Sequence, residues 1–135
     1  MTKELEQKLL EKYPFILQDM YGPVDKTAMH WGITCGDGWY RILDTLLYSI
    51  DSHEKSNRSV GQVINPVIAL QIKEKFAGLR FYYTGGDNFI HGMVQLAEEM
   101  SYKVCEECGN MDAIKIAGNR WHRSLCPECK EKHEQ

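Results

Sequence analysis

No apolar run in the chain approaches the ~20 residues that a membrane-spanning helix needs, so a helical membrane protein is excluded. The stretch from Met1 to Leu10 is rich in Lys and Glu. It lacks the apolar core and small-residue cleavage site of a secretory signal, which predicts a cytoplasmic chain with reduced thiols. A cationic surplus is missing too. The formal net charge is −3, so the molecule as a whole offers no electrostatic footprint for nucleic acid. There is no internal repeat or low-complexity tract, and His30, His53, His91, His122 and His133 fall into no ligand spacing. What remains is a chain of 135 residues with 43% hydrophobic content, enough for one ordinary core.

Cysteine is plentiful by contrast, and four of the five are patterned. Cys105-Glu-Glu-Cys108 and Cys126-Pro-Glu-Cys129 form two C-x2-C pairs separated by 17 residues. Each pair delivers two sulfurs to one side of a tetrahedron, the donor set of a structural Zn²⁺ ion. A disulfide framework would leave Cys35 odd and would need an oxidising compartment. One zinc ion held by Cys105, Cys108, Cys126 and Cys129, with Cys35 a free thiol, accounts for all five.

Hydrophobic periodicity supplies the elements. Leu5, Leu9 and Leu10 predict a helix over 3–12, ended at Tyr13-Pro14. Ala28 to Thr34 reads as a strand with Met29, Trp31 and Ile33 on one face. Asp37 is placed to cap a helix whose stripe is Trp39, Ile42, Leu43, Leu46, Leu47 and Ile50. Residues 52–62 are polar enough for an exposed loop that could order on binding. Two strands, 67–76 and 79–84, meet at an Ala77-Gly78 turn, with Gly78 supplying a positive φ. Asp87 or Asn88 then caps a helix to about Lys103 carrying Ile90, Met93, Val94, Ala97, Met100 and Val104. The expected architecture is α+β: a small antiparallel sheet packed with helices over 1–103, followed by a zinc ribbon over 104–135 docked on it.

Three places carry candidate chemistry. In the two-residue-loop register Lys75 lies across from Arg80 and Lys73 across from Tyr82. Like charges directly opposite destabilise a sheet; Glu98, Glu99 or Asp37 of the same chain is the simpler partner for them, and otherwise Lys73, Lys75, Arg80 and Tyr82 form a candidate face for an acidic partner or small anionic ligand. On the ribbon, Arg120, Trp121 and Arg123 could contact nucleic acid. Between Cys105 and Gln135, however, five basic residues meet six acidic ones, and a four-thiolate zinc site is itself anionic. A brace with Trp121 packed on the main domain is the simpler role. Finally, Cys35 and Asp37 lie near a helix start, where a thiol pKa can fall, but no histidine stands in a recognisable relation to Cys35 as its base.

Tyr13-Pro-Phe15, Cys35-Gly-Asp-Gly-Trp39, the segment Lys73-Glu-Lys-Phe-Ala-Gly-Leu-Arg-Phe-Tyr-Tyr83, Ala97-Glu98 with Ser101, and the four-cysteine array occur in one order. Together they resemble a family of small uncharacterised proteins found in phages and bacterial genomes. The resemblance implies little chemistry but an accessory role, in the host cytoplasm if phage-encoded, by binding a host protein or sequestering a small nucleotide signal; the missing catalytic constellation makes that role a non-enzymatic one.

Overall fold

The computed structural model describes the backbone of residues 1–112, 114–118 and 122–134. Helix α1 (Lys3–Lys12) is followed by irregular turns, a 3₁₀ turn (Ala28–Trp31) and the short strand β1 (Ile33–Thr34). A second 3₁₀ turn (Asp37–Trp39) leads into α2 (Tyr40–Ser59), then come β2 (Ile68–Lys75), β3 (Gly78–Thr84) and α3 (Asn88–Ser101). The ribbon adds β4 (Lys115–Ala117), β5 (Arg123–Leu125) and α4 (Pro127–Glu134). The class is α+β. The three-stranded sheet, in order β1-β2-β3, is mixed rather than wholly antiparallel, because β1 runs parallel to β2 through Ile33↔Ile72 and Thr34↔Lys73.

The core forms where the apolar stripe of α2 meets the inner face of the sheet. Leu43, Leu47 and Ile50 are fully buried with Trp39, Ile72, Leu79 and Ile90. β3 is an edge strand, and open edges invite pairing with other chains. Here α3 closes it: Ser101 Oγ accepts the Leu79 N–H at 2.8 Å and Glu98 Oε2 accepts the Phe81 N–H at 2.9 Å. Buried Glu6 does a similar job across α1, accepting the Ile33 N–H at 2.5 Å and the Tyr21 hydroxyl at 2.7 Å.

Several expectations are corrected by these contacts. Met29 and Ile33 are buried as the strand pattern requires, but Trp31 is 67% exposed, because Ala28–Trp31 is a 3₁₀ turn capped by the Thr27 hydroxyl rather than extended chain. Asp37 does not cap α2. Its Oδ1 accepts the Thr2 N–H at 2.7 Å, fastening the start of α1. The polar stretch expected to be a loop is helical to Ser59. Adding turns to an existing helix is cheap, and the side chains find partners: Lys55 with Asp51 at 2.8 Å, Glu54 with the Val67 N–H at 2.8 Å, and His53 with Asp87 at 2.8 Å. Asp87 does cap α3, accepting from the Ile90 N–H at 3.0 Å. The helix ends at Ser101, two residues short of the expected limit.

The hairpin differs by one residue. Its loop is Phe76-Ala77, so Lys75 pairs with Gly78 and Lys73 with Arg80. A type I′ turn needs positive φ at both central residues, and Phe76 (52°) and Ala77 (70°) supply it without glycine, asparagine or aspartate. Gly78 has another use: a Cβ there would strike the Tyr102 ring. A bulge between Ala69 and Gln71 leaves Leu70 41% exposed.

Replacing Glu6 by alanine leaves the buried Ile33 N–H without a partner and is expected to cost about 1–3 kcal/mol, read from urea unfolding. Alkaline titration gives a second check. Burial, then the hydrogen bond to Asp44, pushes Tyr13 up to about 12; burial, then Glu6, does the same to Tyr21. The folded state holds both protons more tightly, so this contribution is complete below the unfolded value of 10.0 and lost as pH rises towards about 12. Phenolate absorbance from these two tyrosines should appear together with unfolding.

Candidate functional site

The four patterned cysteines converge. The Sγ atoms of Cys105, Cys108, Cys126 and Cys129 all lie within 4.8 Å of one another. Cys108 Sγ and Cys126 Sγ are 3.7 Å apart, against about 3.8 Å for the edge of a tetrahedron with 2.3 Å metal–sulfur bonds. The residues present therefore fit one metal ion. Cys105, Cys126 and Cys129 are buried and Cys108 is exposed. Burial alone would raise the Cys105 thiol, but backbone N–H groups of the two knuckles outweigh it and bring it down to about 7. Cys129 is pushed the other way, first by burial and then by the neighbouring thiols.

The knuckle is joined to the core through the Gly-Asp-Gly-Trp segment. Gly38 N–H donates to the Glu106 carbonyl at 2.8 Å, and Gly36 N–H donates to Glu106 Oε2 at 2.9 Å. Fully buried Trp39 donates its indole N–H to the Val104 carbonyl at 2.9 Å. A Cβ on Gly36 would collide with the Glu106 carbonyl, and one on Gly38 with the carbonyls of Cys105 and Glu106. The two glycines are thus places where two backbones touch. Glu106 is 4% exposed, and its other carboxylate oxygen takes the Arg123 Nε–H at 3.2 Å. From β5, Ser124 Oγ donates to the Ala77 carbonyl at 2.8 Å, so the ribbon also holds the hairpin turn.

The structure separates the candidate groups. Arg123 is the counter-ion of buried Glu106 and lies beside His133, so its guanidinium is engaged within the ribbon. Arg120 and Trp121 lie outside the described residues. Cys35 is 6% exposed, and burial pushes its thiol up to about 12; proximity to a helix start does not offset the loss of water. Asp37 accepts the Thr2 N–H, and no hydrogen bond joins it to Cys35 among the described residues.

Of the hairpin group, Lys73 and Arg80 stand directly opposite on the sheet face turned away from the core, next to the Gln71–Tyr82 pair. Lys75, expected across from Arg80, faces Gly78 instead and holds its ammonium 5.7 Å from the Phe76 ring. Arg80 is braced from outside the hairpin: Nη2 donates to the Tyr102 hydroxyl at 3.0 Å, and the guanidinium lies 6.0 Å from that ring. None of Lys73, Lys75 and Arg80 pairs with a carboxylate among the described residues. Tyr82 is 41% exposed and Phe76, at the turn, 69%. Neither Tyr102 nor Glu106 carries a local signal in the sequence that marks its partner. The doubled glycine before Trp39 was the one available sign of a close backbone contact.

No family model, curated protein or solved structure matches the chain.

Removing the metal with a chelator is expected to release the knuckle from Gly36 and Gly38, lowering the melting temperature and shifting Trp39 emission to the red. Gly38→Ala tests the contact without touching a ligand: it should cost about 1–3 kcal/mol, as overpacking does, while metal stoichiometry by mass spectrometry stays at one per chain.

Proposed function

We propose that the protein is a zinc-braced, non-enzymatic binding protein that presents Lys73, Lys75, Arg80 and Tyr82 to an anionic ligand. The opposition of Lys73 and Arg80 across β2 and β3, with no carboxylate paired to either among the described residues, carries this reading. Such a pair repels in the free protein, and an anion placed between the two side chains turns the repulsion into two charge-assisted hydrogen bonds. Arg80 is already aimed by Tyr102, which lowers the cost of ordering it on binding. Zinc is the metal that four thiolates in a closed tetrahedron suit best. A closed site leaves no coordination position for a substrate, which makes the ion a brace.

The phage and bacterial resemblance of the hairpin and ribbon supports an accessory role. The anion would then be the phosphate of a small nucleotide signal or the carboxylates of a host protein. A nucleic-acid surface on the ribbon is the weaker reading, since Arg123 is consumed by Glu106.

If the pair repels, Lys73→Gln raises the stability of the free protein by about 0.2–1 kcal/mol, and more at low salt than at high salt. Thermal shift with pyrophosphate, a nucleoside triphosphate and an acidic peptide then separates phosphate from carboxylate recognition. Stabilisation of the wild type that disappears in Lys73→Glu and Arg80→Glu supports the assignment. Equal shifts in all three proteins, or none in any, would sink it.

A further inference from the structure

Helix α3 has two apolar faces, and the monomer covers the second only in part, by stacking Phe89 on the His53 ring at 4.4 Å and packing Met93 against the core. Ile90, Val94 and Ala97 are buried in the core with Ser101. Phe89, Met93, Leu96 and Met100, at i, i+4, i+7 and i+11, form a second stripe, of which Phe89 is 63%, Leu96 64% and Met100 42% exposed. The stripe borders a groove of about 600 Å³ between α2, α3 and the ribbon, walled by Ile42, Thr45 and Ser49 of α2 and overhung by Met111. Met111 is itself 67% exposed. Contiguous exposed apolar surface of this kind marks an interaction site.

We propose that a second copy of the chain covers this face, with α3 packed antiparallel on its symmetry mate. The order of the stripe is its own complement. A two-fold axis crossing α3 midway between Val94 and Gln95 exchanges Phe89 with Met100 and Met93 with Leu96. Every large apolar residue of the stripe then meets another. That self-complementarity is what an isologous interface requires.

Two further observations favour the antiparallel mate. Gly92 sits within α3 at a cost of about 1 kcal/mol relative to alanine, yet a Cβ there would meet nothing within 4 Å. The monomer gives no reason for it, whereas a closely approaching helix does. Charge agrees. The only Asp, Glu, Lys or Arg residues of α3 are Glu98 and Glu99, both in its last turn. Glu98 is held by the Phe81 N–H of its own chain, and an antiparallel mate sets the exposed Glu99 against the other copy's N-terminal half, where the helix dipole is positive. A parallel mate would stack Glu99 on Glu99.

Sedimentation equilibrium of the metal-loaded full chain tests this. The expected result is twice the 15.6 kDa chain mass, and for Leu96→Glu a monomer with unchanged far-ultraviolet circular dichroism. Gly92→Ala gives an independent readout of opposite sign. It should favour the helix while weakening the dimer roughly tenfold or more, as loss of a central close contact does. A wild type that stays monomeric up to its solubility limit overturns the proposal. So does a dimer that survives Leu96→Glu and Gly92→Ala, or a different polypeptide found on this face in place of a second copy.

Discussion

The approach of the Cys105–Glu106 backbone to Gly36 and Gly38 is the constraint on which the rest of the molecule depends. Two pieces of main chain touch where any side chain would hold them apart, and three hydrogen bonds from Gly36, Gly38 and Trp39 close the contact. Through it the metal knuckle reaches the hydrophobic core, since Trp39 packs with Leu43 and Ile72 on one side and bonds Val104 on the other. Glu106 extends the joint in both directions, to Gly36 and to Arg123 of the ribbon. Its burial is tolerable because each carboxylate oxygen has a donor.

What could be read from the sequence was what repeats within a few residues. The stripes of α1 and α2, the inward Ile90, Val94 and Ala97 of α3, the cap at Asp87 and the donor set of four cysteines follow from spacing and are present, whereas Met100, expected on the α3 stripe, is 42% exposed and Val104 lies beyond the helix end. Features decided by distant partners were not legible. Nothing near Ser52 to Ser59 says that His53 will meet Asp87 or that Glu54 will meet Val67, so a polar stretch that continues a helix looked like a loop. Nothing local to Asp37 says that Thr2 will claim it. The β1 pattern failed for a geometric reason: a 3₁₀ turn points Met29 inward and Trp31 outward, which simple alternation cannot anticipate.

The candidate site shows the same division. Its residue types were visible as unusual charges on a hairpin, and opposed cations do occur there, but the pair is Lys73 with Arg80. The shift arises because the turn falls at Phe76-Ala77, two residues that resist positive φ at about 1–2 kcal/mol each. Glu74 and Ser124 hold Ala77 by its N–H and its carbonyl. Local preference argued for glycine in the turn; the ribbon overruled it.

That last contact imposes an order on the birth of the molecule. Ser124 lies 47 residues downstream of Ala77, so during synthesis the ribosome has delivered both strands, all of α3 and the first cysteine pair before the group that secures the bend exists. Until then Ala77 is held by Glu74 alone. The bend gains its second contact only when the second knuckle arrives, so the far end of the chain completes the hairpin that carries Lys73 and Arg80.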